Sequence, residues 1–76
     1  MNIQEFINSF KAQLDNDSFV VTPETDYVQS DFWDSLTNMV ITVMLDDKYN
    51  IQMESEELNS FSSIQDLYDF VIKNEK

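Results

Sequence analysis

The side chains that most often do chemistry are missing from this chain, which has no His and no Cys. That leaves neither a thiolate nucleophile nor the usual zinc ligands, and general base chemistry would fall to carboxylates. Carboxylates are abundant, with fifteen Asp plus Glu in 76 residues. Close neighbours such as Asp31 and Asp34, or Asp46 and Asp47, follow from that abundance and read as a solvated face. Asp15-Asn16-Asp17 offers oxygen ligands for calcium. It lacks the Gly and the Glu that complete an EF-hand loop, so no metal site is expected. Asp34-Ser35-Leu36 differs, because it stands where a long irregular stretch meets a helix. A serine hydroxyl in a first helical turn lies near backbone N–H groups, and a phosphate ester there is favoured by the positive end of the dipole. The tripeptide alone is also an ordinary helix start.

Those residues are positioned by segments that read as helical. Ile3, Phe6, Ile7, Phe10 and Leu14 share one helix face and predict a helix over 3–14, with Asn2 and Glu5 resembling a capping box. Asp15-Asn16-Asp17-Ser18 breaks it. Residues 16–33 are the least regular stretch. Phe19-Val20-Val21 would be a strand without a partner, and Thr22-Pro23 favours an extended turn. A connection this long is uncommon, so Tyr27, Val28, Phe32 and Trp33 are expected to pin it to the core. The second helix is predicted from Asp34, its N-cap, to Tyr49, with Asn50 as a left-handed cap. Its apolar residues cover more than half its circumference, so it is either central or carries an exposed apolar strip. Asp46-Asp47-Lys48 puts two acids at its C-terminal end, where the dipole favours cations. Ile51 and Met53 read as buried anchors. Ser55–Ser60 predicts a short helical turn capped by Ser55. Ser62 and Gln65 read as a capping box for a last helix carrying Ile64, Leu67, Tyr68, Val71 and Ile72 on one face, with Lys73 and Lys76 suiting its end. The expected fold is all-α: a small four-helix bundle of three longer helices and one short one, with a long loop between the first two.

Composition narrows the function classes. The length allows one small domain that buries about 60% of its unfolded surface, too little for a deep catalytic pocket. The chain has no Gly, which disfavours phosphate-cradling loops. Four Lys and no Arg leave a formal net charge of −11. That charge repels nucleic acid and anionic membrane surfaces and favours basic protein surfaces as partners. Hydrophobic residues at 42% argue against disorder. No apolar run approaches the roughly 20 residues that span a bilayer. The cytoplasm is the simplest compartment, and a monomer the simplest state.

The order of amphipathic helix, long loop with Thr22-Pro23-Glu24-Thr25, Asp34-Ser35-Leu36, and apolar helix ending in acids and an aromatic, then a short helix and a capped last helix, resembles the acyl carrier protein family over residues 1–76. Asp34-Ser35-Leu36 looks like its attachment motif. Asp46-Asp47-Lys48-Tyr49-Asn50-Ile51-Gln52-Met53 looks like its acidic helix end and return segment, and Ser62-Ser63-Ile64-Gln65-Asp66-Leu67 like its last-helix start. The resemblance implies a carrier without turnover of its own. Ser35 would receive 4′-phosphopantetheine from coenzyme A and carry an acyl group as a thioester. Asp34 would help position a phosphopantetheinyl transferase with its Mg²⁺. Leu36 would be an apolar contact, and Asp47 part of the acidic surface offered to loading ligases and acyl-processing enzymes. Two positions depart from fatty-acid-type carriers: Val40 where Glu is common, and Trp33 where a small residue is frequent. Leu36, Val40 and Met44 would then line one strip for partner recognition; in a rotated helix Val40 would be core. A specialised lipid, polyketide or related pathway fits these departures. Aminoacyl, D-alanyl or peptidyl cargo, and an unmodified acidic interaction module, remain alternatives.

Like-charge repulsion at −11 opposes the compact state. Added salt or a divalent cation should raise Tm, by about 4–8 °C for each kcal/mol of repulsion relieved. Thermal melts followed by circular dichroism at low and high salt test this; a flat response counts against it.

Overall fold

The helical periodicities are realised as α1 (Ile3–Lys11), α2 (Ser35–Tyr49), α3 (Ser55–Leu58) and α4 (Ile64–Asn74), with a 3₁₀ turn at Tyr27–Gln29 in the long connection. The structure is a computed structural model that describes residues 2–14 and 18–74. No strand occurs among the described residues, and Phe19-Val20-Val21 lies in irregular chain. The helix break and calcium ligands considered at Asp15-Asn16-Asp17, and the dipole role of Lys76, lie outside the described residues.

Helix α1 starts where the sequence expects, with Asn2 Oδ1 accepting from the Glu5 N–H at 2.9 Å. It ends at Lys11 rather than Leu14. The N–H groups of Gln13 and Leu14 turn to carbonyls three residues back, Phe10 and Lys11, which tightens the last turn into 3₁₀ geometry. Helix α2 keeps its expected caps. Asp34 is extended at its start, and Asn50 closes its end in the left-handed region at φ 58°. The Ile51 N–H then bonds to the Leu45 carbonyl at 3.2 Å, satisfying one of the last carbonyls of the helix.

Two expected caps move. Glu54, not Ser55, precedes the first residue of α3, and no side chain caps it. The amides that open α4 are satisfied from the long loop: Ile64 N–H by the Thr25 carbonyl at 2.9 Å and Gln65 N–H by the Pro23 carbonyl at 2.8 Å. The side-chain cap is Ser63, whose Oγ accepts from the Asp66 N–H. Ser62 and Gln65 therefore do not form the expected box, and Gln65 Nε2 bonds forward to Asp69.

The core joins Phe6 and Phe10 of α1, Ile41 and Leu45 of α2, Leu58 of α3, and Leu67 and Val71 of α4, all fully buried. Ile51 and Met53 are buried on either side of exposed Gln52, as their alternation predicts. The loop aromatics pin the long connection as expected. Tyr27 is fully buried, and its hydroxyl donates to the Leu58 carbonyl at 2.5 Å. Trp33 lies 4.8 Å from the Tyr27 ring centroid and stacks on Phe10 at 6.2 Å. The radius of gyration, 11.1 Å, is that of a folded chain of this length.

Tyr27→Phe should keep the helical circular dichroism yet cost about 1–3 kcal/mol, because the buried Leu58 carbonyl loses its donor. Burial, with smaller contributions from the charges of Asp26 and Asp66, pushes the Tyr27 phenol far above its ordinary range. The folded chain holds that proton more tightly than the unfolded chain. The resulting stability is full below about pH 10 and is lost as pH rises from there toward the folded value. Denaturant titrations across the alkaline range should therefore show a shallower decline for Tyr27→Phe; parallel curves would overturn the assignment.

Candidate functional site

Asp34, Ser35 and Leu36 come together at the exposed start of α2. Asp34 Oδ1 accepts from the Thr37 N–H at 2.8 Å, and the Asp34 carbonyl accepts from Asn38 N–H at 2.9 Å. The Thr37 backbone N–H is the main group holding the Asp34 carboxyl below the usual carboxylate range. Thr37 Oγ donates back to the Phe32 carbonyl at 3.0 Å, which fixes the chain entering the helix. Ser35 is thus the first residue of a 15-residue helix on a doubly anchored turn, with its side chain exposed. A phosphate ester fits there: the hydroxyl is open to another protein, and the helix dipole favours the added negative charge. No acid–base residue with the ordinary pKa of an imidazole exists in the chain to activate that hydroxyl from within.

The remaining sequence-derived residues spread along α2. Asp47 is exposed, about 18 Å from Ser35 at 1.5 Å per residue. Val40 is half-buried and Met44 is buried, only 4% exposed. The expected exposed strip of Leu36, Val40 and Met44 is therefore corrected. The apolar residues facing solvent are Leu36, Met39 and Val43, at 58%, 56% and 62% exposure. The rotation follows from the core face, which takes Asn38, Ile41, Met44 and Leu45 inward.

Sequence reasoning also missed Asn38 and its partners. Asn38 is the buried polar residue of the core. Its Nδ2 donates to the Ser55 carbonyl at 3.2 Å and to Asn59 Oδ1 at 3.0 Å. Trp33 Nε1 donates to the same oxygen at 2.8 Å. An Asn among the apolar residues of α2, three after Ser35, was the available signal.

Hollows flank the bundle. One, about 570 Å³, is bordered by Asp46, Gln52 and Asn74, at the end of α2 remote from Ser35. A second, about 260 Å³, lies beside α2 and is floored by Met39, Val40, Val43 and Met44. A third, about 290 Å³, lies between Thr42 and Met53. Among the described residues no group of three or more His, Cys, Asp or Glu side chains could hold a metal. No helix among them is long and apolar enough to cross a membrane.

The family described as the phosphopantetheine attachment site matches residues 4–71. An acyl carrier protein of Syntrophobacter fumaroxidans is 27% identical over 70 residues, covering 92% of this chain and 86% of that protein. One of Thermosynechococcus vestitus is 28% identical over 75 residues, covering 93% of each. No solved structure matches with comparable significance.

Asp34→Ala should lower Tm by removing the cap, and Asp34→Asn, an equally good cap, should restore most of it at neutral pH. The contribution of the depressed carboxyl is present above about pH 4 and is lost as pH falls through its folded value. Denaturation curves at neutral and acid pH should converge for wild type and Asp34→Asn on acidification; an unchanged gap would overturn this.

Proposed function

Because the chain belongs to the phosphopantetheine attachment family, we propose that it is an acyl carrier whose Ser35 holds the 4′-phosphopantetheine arm. Members of this family are carriers rather than enzymes, and the group they carry is attached covalently. The observation that carries the assignment to Ser35 is its exposed hydroxyl at the first residue of α2, on a turn anchored by Asp34 and Thr37. Ser35 Oγ gives up its proton to the transferase and bonds to the pantetheine-side phosphorus of coenzyme A, whose pyrophosphate P–O bond breaks and releases adenosine 3′,5′-bisphosphate. When attached, the group supplies a thiol on which an acyl cargo rides as a thioester.

The chain's own residues then divide the work. Asp34 keeps its charge beside the ester and holds the turn rigid. Leu36, Met39 and Val43 offer apolar contact to partner enzymes, and Asp46 and Asp47 steer basic partner surfaces toward the far end of the helix. With Val40 in the middle of α2, the partners of this carrier read an apolar strip bounded by acids. That pattern favours dedicated loading and processing enzymes of a specialised acyl pathway, in the compartment that supplies coenzyme A, the cytoplasm.

Intact mass tests the attachment directly. Incubation with coenzyme A, Mg²⁺ and a broad-specificity phosphopantetheinyl transferase should add one arm to wild type and none to Ser35→Ala, with identical circular dichroism. Addition to the variant would overturn the residue assignment. No addition to folded wild type, while a control carrier is modified, would count against the carrier reading.

A further inference from the structure

Ser35 lies between two residues whose side chains donate to the same oxygen. Trp33, just before the Asp-Ser pair, donates from Nε1 to Asn59 Oδ1 at 2.8 Å. Asn38, one turn beyond Ser35, donates from Nδ2 to that oxygen at 3.0 Å. Asn59 is the C-cap of α3, a helix of four residues. A single carbonyl oxygen on the shortest helix thus ties down the chain on both sides of the attachment serine.

The bonds within the turn act differently. Thr37 N–H donates to Asp34 Oδ1, Thr37 Oγ to the Phe32 carbonyl, and Asn38 N–H to the Asp34 carbonyl. These fix the residues of the turn relative to one another. They do not set where the turn stands against α3. Core packing does not set it at the serine either, because Asp34, Ser35 and Leu36 are all exposed and the first buried side chain of α2 is Asn38. The Trp33 ring is held toward α1 and the long connection by Phe10 and Tyr27. Its Nε1 bond is the tie to α3, and Asn38 makes the matching tie from within the helix.

How firmly the serine is held matters for the displacement at the phosphorus of coenzyme A. A nucleophile misplaced by about 1 Å can cost about 10²-fold in rate. Resting on the attachment at Ser35, we infer that Asn59 is a positioning residue for arm transfer: through Trp33 and Asn38 it holds Ser35 in place while the transferase takes the proton. The Asn59 side chain is exposed, so a substitution there spares the core.

Steady-state transfer of the arm tests this, with coenzyme A, Mg²⁺, a broad-specificity phosphopantetheinyl transferase and intact mass as readout, well below each variant's Tm. Asn59→Ala should lower kcat about tenfold or more and keep the KM for the carrier within about twofold, because the exposed surface of α2 is unchanged. Asn59→Asp keeps an acceptor oxygen for both donors and should restore most of the rate. Trp33→Phe removes the indole donor but keeps a ring, and should also lower kcat. Combined with Asn59→Ala, it should cost less than the product of the two single effects. A purely structural role would reduce the folded fraction, raising the apparent KM and leaving kcat alone. Direct contact between Asn59 and the transferase would raise KM and leave Trp33→Phe silent. Either pattern, or wild-type kinetics in Asn59→Ala, overturns the inference and leaves the attachment reading standing. Wild type that never gains the arm overturns both. If Trp33→Phe fails to fold, Asn59→Ala and Asn59→Asp decide.

Discussion

The Tyr27 hydroxyl bonded to the Leu58 carbonyl ties the long connection to the shortest helix from inside the core. Tyr27 belongs to the long connection, Leu58 to the shortest helix, and the Tyr27 ring packs between Phe10 of α1 and Trp33. The long connection, α1 and α3 thus meet at one buried phenol. Aromatic packing of this kind contributes beyond its buried area, and the hydroxyl leaves little freedom in where α3 can sit. The loop is held at a second place, where the Pro23 and Thr25 carbonyls accept the opening amides of α4. The long connection is thereby fixed at both the α3 and α4 sides of the bundle.

That fixing matters for α2, which presents different chemistry along its length and around its circumference. Its inward face joins the core through Ile41, Met44 and Leu45 and reaches α3 through Asn38. Its outward face stays apolar at Leu36, Met39 and Val43. Its first turn is shaped by Asp34 and Thr37, and the far end by exposed acids. A carrier must be recognised by several enzymes and released by each. A rigid helix with an apolar strip between charged ends serves that need, since charges speed encounter and a modest apolar patch adds contact without permanence.

Much of this was legible in the sequence because the governing signals are local. Asp34 and Asn50 cap α2 through their own side chain and backbone geometry, and one-faced spacing marks α1 and α4. The helix start at Asp34-Ser35-Leu36 was legible for the same reason. What escaped was set by distant partners. Ser62 and Gln65 look like a box, but the Pro23 carbonyl, about forty residues earlier, accepts from the Gln65 amide and Ser63 becomes the cap. The rotation of α2 escaped because an almost uniformly apolar helix has no periodic contrast to reveal its core face. Asn38 interrupts the apolar residues of α2, as Thr37 and Thr42 also do, and its meaning depends on Asn59, 21 residues away.

The groups that hold α3 against α2 are two carboxamides, an indole, a phenol and backbone carbonyls. At neutral pH none of them bears charge. The surface around them belongs to a chain with a formal net charge of −11. Ionic strength and divalent cations therefore act on the outside of the molecule, on its self-repulsion and on how fast basic partners arrive. The wall beside Ser35 is insulated from those changes. The carrier can be tuned in its traffic by its ionic surroundings while the environment it offers to whatever it carries stays constant.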